Sequence, residues 1–164
     1  MAEATATDKH IQKLLDKDAI KELMARVYYL VDDGKVGEAI ERFATEDVTF
    51  DASPLGTAEG RDVWKEWSET VYPEQLPFRR HMIHNPLLEV DGDEATGKWY
   101  LECPAITGDC EAIWVQGTYE HEFRRVDDEW KISSFTFDFT YAAPYEHGWA
   151  ERPFIEGIPG DLEW

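Results

Sequence analysis

Residues 79–103 read RRHMIHNPLLEVDGDEATGKWYLEC, and this stretch decides the fold. From Arg79 the apolar residues alternate with a period of two. Met82, His84, Leu88 and Val90 fall on one side, and His81, Ile83, Asn85 and Leu87 on the other. Asp91-Gly92-Asp93 is a hairpin signal. Beyond it Ala95, Gly97, Trp99, Leu101 and Cys103 alternate with Thr96, Lys98, Tyr100 and Glu102. Two long antiparallel strands are therefore expected. A third is expected from about Ala112 to Val126, and a fourth from Trp130 to Tyr141 after an Asp127-Asp128-Glu129 turn. The last should carry Phe135, Phe137, Phe139 and Tyr141 on one face, as an apolar oligomer surface or as the face turned to the helices.

Upstream the period is helical. Ile11, Leu15, Ala19, Leu23, Val27 and Leu30 recur in steps of four and three, which predicts a helix from about His10 to Asp32, stopped at Gly34. Val36, Ala39, Ile40 and Phe43 form a second, shorter helical pattern. Val63, Trp64, Trp67 and Val71 form a third, and a short strand, Val48 to Ala52, lies between the two. Helices followed by a meander of long strands indicate an α+β fold. A long twisted antiparallel sheet curls into a cone, three helices fill its concave side, and an apolar pocket is enclosed. The expected organisation is a tail over 1–9, one domain over 10–145 and a C-terminal extension over 146–164. The extension carries Trp149, Phe154 and Trp164, and could cap the pocket, meet a neighbouring subunit or pack on its own domain.

Composition narrows the function. Sixteen Lys and Arg against 35 Asp and Glu give a net charge of −19, which repels phosphate backbones and anionic lipid. Neither nucleic-acid nor membrane binding is expected. The first ten residues carry no basic patch followed by an apolar stretch, so a cytoplasmic protein is expected. The two cysteines, Cys103 and Cys110, read as ordinary thiols. No phosphate loop, dinucleotide fingerprint or nucleophile elbow is present. His81 and His84, three apart on a strand, point to opposite faces and cannot chelate one ion, so no metal site is expected.

Proton transfer remains. Tyr28, Tyr29, Asp32 and Asp33 crowd the end of the first helix, where the helix dipole disfavours negative charge unless a cation lies close. His81 could supply it, and a His held by an Asp makes a general base. The same Asp-Asp-Gly segment also reads as a plain helix-ending turn. Trp64, Trp67, Trp99, Trp114 and Phe137 could line a pocket for a ring-shaped ligand, or simply pack the core.

Several segments, in this order, carry a resemblance. They are Asp18-Ala19-Ile20-Lys21-Glu22-Leu23, Tyr28-Tyr29, Asp32-Asp33-Gly34 and Phe43 to Val48. Arg80-His81-x-x-x-Asn85, Glu89 to Asp93, Gly117-x-Tyr119-x-x-x-Phe123 and Trp130-Lys131-Ile132 follow. From about residue 10 to 145 the chain resembles the SnoaL-like domain of the nuclear transport factor 2-like superfamily. It is similar there to the group of scytalone dehydratase, bile-acid 7α-dehydratase and lindane dehydrochlorinase. The resemblance implies a catalytic pair of His81 with Asp32, or with Asp33, and a carbonyl-polarising tyrosine at Tyr28 or Tyr29. It implies a lyase or isomerase that needs no cofactor and acts on a small hydrophobic ring compound such as a sterol or polyketide. A homodimer or homotrimer is also implied. The chain departs from the group at Cys103, where the bile-acid enzyme carries an Asp and scytalone dehydratase places a second His nearby. Here Glu102 is the only carboxylate on offer, and it counts among the candidate substrate contacts. Two further readings stand beside the enzyme: a non-catalytic ligand-binding module, and a small structural subunit of an aromatic-ring dioxygenase.

Overall fold

The computed structural model describes residues 5–156 and 158. Three helices, α1 (Ala6–Asp32), α2 (Val36–Phe43) and α3 (Arg61–Gln75), pack into the hollow of a seven-stranded sheet. The strands are β1 (Ala44–Asp51), β2 (Thr57–Glu59), β3 (Phe78–Arg79), β4 (Met82–Asp91), β5 (Glu94–Ile106), β6 (Ala112–Val126) and β7 (Glu129–Pro144). Their order is β2-β1-β7-β6-β5-β3, with β4 also pairing β5. The expected α+β cone is present. Its sheet is mixed rather than purely antiparallel, because β1 runs parallel to β7.

Helix α1 starts at a capping box. Thr5 Oγ1 accepts from the Asp8 backbone N–H, and the Asp8 carboxylate accepts from the Thr5 backbone N–H. Its buried face differs from the expected stripe. Ile20, Leu23, Met24, Val27, Tyr28 and Val31 are buried, whereas Ile11, Leu15 and Ala19 are exposed. Burial begins only at Asp16, whose carboxylate is held by Arg125 at 2.6 Å and by the Trp130 indole N–H at 3.3 Å. That link ties α1 to β6 and β7, and it satisfies a charge that would otherwise be costly to bury.

Strict alternation fails where the strands bulge. In β4 the register shifts between His84 and Leu87, and Asn85 adopts a left-handed φ of 53°. The extra residue resets the phase, so Ile83, Leu88 and Val90 share the inner side while His84 and Leu87 face out. In β7 the register shifts twice. Phe135 and Phe137 are buried and Phe139 half-buried, all turned to the helices. After the second shift Tyr141 pairs with Gln116 on the outer face and stacks on Trp149 at 5.1 Å. Phe135, Phe137 and Phe139 are therefore core, and Tyr141 faces out.

Trp99 is 2% exposed and folds back over Gly97, where an added Cβ would lie 2.3 Å from its ring. Only glycine leaves that ring its place. The C-terminal segment returns to the sheet edge beyond β1. Ala142 N–H donates to Pro153 O, Ile155 N–H donates to Ala142 O, and Phe154 and Ile155 pack on the core. Trp164 lies outside the described residues. Among the described residues no helix is long and apolar enough to cross a membrane.

Candidate active site

The C-terminus of α1 meets the sheet at the break between β3 and β4, where Arg79, Arg80 and His81 sit. A helix end exposes carbonyls with no partner inside the helix. The last turn of α1 carries no basic residue of its own. Arg79 of β3 and Arg80 just beyond it supply the cations instead. Arg79, 6% exposed, donates to Val31 O at 2.6 Å and to Leu76 O at 2.9 Å, with its guanidinium 4.6 Å over the Tyr72 ring. Arg80 donates to Asp32 O at 2.9 Å. Two guanidinium groups thus offset the negative end of the helix and lock it to the sheet.

This lock places Asp32 against His81. Asp32 Oδ1 lies 2.6 Å from His81 Nδ1, and Asp32 Oδ2 accepts the His81 backbone N–H at 3.0 Å. Both side chains are nearly buried, at 11% and 6% exposure. A carboxylate on Nδ1 puts a proton there and leaves Nε2 as the lone-pair nitrogen. Asp33 takes no part: it caps the helix through its own N–H to Tyr29 O at 3.1 Å and is exposed.

His81 opens onto an apolar cavity walled by Trp67, Leu76, Leu101, Cys103, Phe137 and Phe139 among others. Cys103 stands across from His81: Arg79 pairs with Ala105 and Met82 with Glu102, so the same register sets residue 81 opposite residue 103. Burial pushes the Cys103 thiol up to about 12. Phe50, Tyr72, Tyr119 and Phe135 also border a second, smaller inner lobe. Tyr28 lines that lobe. Its ring stacks between His81 (4.9 Å) and Tyr119 (5.4 Å). Burial raises the Tyr28 phenol well above its ordinary range; the Tyr119 hydroxyl partly offsets this without reaching hydrogen-bond geometry. Burial likewise raises the Tyr119 phenol, and it lifts Tyr72 to about 12. These hydroxyls stay protonated at neutral pH and can only act as hydrogen-bond donors or acceptors.

The other sequence candidates fall in different places. Trp67 and Phe137 line the lobe with His81, and buried Trp64 lines the inner lobe, stacked on Phe50 at 5.1 Å. Trp99 lines neither lobe, being packed against His121 and Phe123. Glu102 and Trp114 lie on the outer face of the sheet. Glu102 is 3.6 Å from His84 Nε2, and Trp114 stacks on Tyr145. Tyr29 is 75% exposed and points away. The strand parity of Glu102 already sets it opposite to Cys103. For Trp114, alternation from inward Val115 and Gly117 carries the same message. Several residues of the cavity were not singled out as site candidates from sequence: Ser68, Tyr72, Cys103, Tyr119 and the clamp residue Arg79. Alternation along β6 from Val115 is the signal that would have found Tyr119.

Related sequences and folds agree with the architecture. The sequence profile of the SnoaL-like domain matches residues 12–136. A candidate aromatic ring hydroxylase from Novosphingobium aromaticivorans is 29% identical, with a TM-score of 0.70 over 77% of this chain and 90% of its own. A candidate scytalone dehydratase from the same organism is 20% identical, with a TM-score of 0.73 over 90% and 97%. Hexachlorocyclohexane dehydrochlorinase of Novosphingobium barchaimii is 21% identical, with a TM-score of 0.73 over 94% and 99%. Helices, curled sheet and profile agree, and the chain belongs to the SnoaL-like domain family.

Proposed function

We propose that this protein is a cofactor-independent lyase or isomerase in which Asp32 and His81 abstract a proton from a small hydrophobic ring compound. The observation that carries this reading is the nearly buried, doubly bonded Asp32–His81 pair facing an apolar cavity. Asp32 fixes the tautomer and stabilises the imidazolium once it forms. His81 Nε2 takes a proton from the carbon beside a carbonyl or beside the carbon that bears the leaving group. The electron pair of the C–H bond becomes the new C=C bond, or an enolate whose oxygen accepts from the Tyr28 hydroxyl. Hydroxide leaves as water with the proton held on His81, or halide leaves with its electron pair. In an isomerisation the imidazolium returns the proton to a different carbon. An apolar, water-poor cavity strengthens each of these electrostatic contacts. The names of two structural neighbours, a dehydrochlorinase and a candidate scytalone dehydratase, accord with this chemistry.

Deuterium exchange tests the reading. The protein is incubated in D₂O with a panel of ring ketones and hydroxy-ketones, and label uptake and water loss are followed by mass spectrometry. Exchange at the carbon next to the carbonyl is expected, and it should vanish in His81→Ala. A ring ketone that binds in the cavity without any exchange would sink the enzyme reading in favour of a binding module.

A further inference from the structure

The inner lobe contains two hydroxyls that the fold leaves without a partner. Ser68 is fully buried on α3 and Tyr28 is 5% exposed on α1. Ser68 Oγ and Tyr28 Oη both lack a hydrogen-bond partner among the described residues. Both line the same lobe, whose remaining wall is almost wholly aliphatic and aromatic. Buried polar atoms are nearly always paired, and an orphan carries a desolvation cost. A serine inside a helix commonly bonds back to the carbonyl one turn earlier. Ser68 makes no such bond. Two orphans in one apolar chamber, one of them on the ring stacked on His81, mark a place built for an oxygen.

We infer that Ser68 and Tyr28 form an oxygen-binding subsite that selects ring ketones and hydroxy-ketones over halogenated hydrocarbons of similar shape. The inference rests on the proposed function and names its substrate class. A carbonyl oxygen placed in the inner lobe accepts from both hydroxyls, while the adjacent carbon stays on the side of His81. A chlorinated ring offers only weak acceptors and leaves both hydroxyls unpaired. The discrimination therefore follows from the cost of two unsatisfied donors, the same asymmetry that lets a hydrogen-bonding site reject an analogue lacking the matching group. Reaction at a hydrocarbon bearing chlorine, the substrate type in the name of the dehydrochlorinase neighbour, is disfavoured here on that ground.

The test uses 1-tetralone and tetralin, which share a ring system and differ by the carbonyl. Their affinities for the full-length protein are measured by quenching of tryptophan fluorescence, in wild type, Ser68→Ala and Tyr28→Phe. Hydrogen bonds of ordinary strength predict that the ketone-to-hydrocarbon affinity ratio falls roughly tenfold in each hydroxyl variant, with tetralin affinity unchanged. The infrared carbonyl stretch of bound, ¹³C-labelled 1-tetralone should lie at lower frequency in wild type and move up in both variants. An unchanged ratio and stretch in both variants overturns the subsite, as does a wild type that binds neither compound. A loss confined to Tyr28→Phe removes Ser68 from it. A wild type with the expected ratio but no deuterium exchange would overturn the enzyme reading and leave the subsite standing.

Discussion

Two histidines point into the hollow of the same sheet, and they sit in opposite electrostatic situations. His81 lies at the break between β3 and β4, with a carboxylate on Nδ1 and a cavity beside its ring. His121 lies mid-strand in β6, stacked on Phe135 at 4.4 Å and flanked by Tyr119 and Trp99, with neither ring nitrogen partnered. Burial alone drives His121 down to about 4, so it is a neutral aromatic slab at any ordinary pH. Burial of an imidazole therefore does not by itself make a base. What separates the two positions is the end of a helix. There Asp32 is brought against the strand, and Arg79 and Arg80 hold the helix end through the Val31 and Asp32 carbonyls.

The sharpest way to break this contrast is to remove the charge that distinguishes the two. Asp32→Asn keeps the size of the side chain but cannot stabilise an imidazolium in the same way. Turnover or exchange is expected to fall by roughly 10²–10⁴-fold, the usual range for a positioned base. His121→Phe should leave the exchange rate nearly unchanged. Equal losses in both variants would erase the distinction.

The same pair predicts a pH effect on folding that belongs to His121. Unfolded, the imidazole titrates at its ordinary 6.5; folded, at about 4. Between those values the unfolded chain binds a proton that the folded chain does not. The contribution is neutral above pH 6.5, and stability falls as the pH drops from 6.5 to 4. The integrated loss is about 3 kcal/mol. Denaturant unfolding of wild type and His121→Phe across this range checks it. The difference between the two should shift in favour of the variant as acid is added, and a constant difference would contradict the burial argument.

How much of this was legible in the sequence depends on what each residue responds to. The α+β order was readable because periodicity reports burial, and burial organises both halves. The Asp32–His81 pairing came from resemblance. Spacing alone left Asp32 and Asp33 equal, and the choice is made by the helix cap: Asp33 spends its backbone on Tyr29 O while Asp32 reaches the strand. The faces of Leu88, Val90 and Tyr141 were misread because a bulge is a single-residue event with almost no pattern in sequence. Asn85, tolerant of positive φ, was the lone clue in β4. Glu102, Trp99 and Trp114 were grouped with the pocket by residue type, which is silent about direction. Arg79 escaped notice because its partners are carbonyls 48 and 3 residues away, and no side-chain motif encodes them.

Arg79 therefore offers the next test. Arg79→Met keeps an unbranched apolar side chain but removes the guanidinium from the Tyr72 ring, takes away the donor to Leu76 O, and leaves Val31 O with the Gly34 N–H alone. Loss of two hydrogen bonds from a charged donor predicts a fall of about 2 kcal/mol in unfolding free energy. If the clamp positions Asp32, the exchange rate should drop along with stability. Exchange that stays at the wild-type rate at temperatures where the variant is folded would mean the pair is held without it.

The smallest expected effect has the opposite sign. Ser68 Oγ is buried and unpartnered, so the folded chain carries its desolvation cost with no compensating bond. Ser68→Ala removes that oxygen and should raise the unfolding free energy by about 1 kcal/mol in the absence of ligand. Bound 1-tetralone should reverse the order, because the ketone pairs the serine in wild type and finds nothing in the variant. A serine there serving packing alone would give a variant equal to or weaker than wild type with and without the ketone. A gain in stability without ligand, joined to a loss of ketone binding, is the signature of a residue kept for its ligand at the expense of the fold.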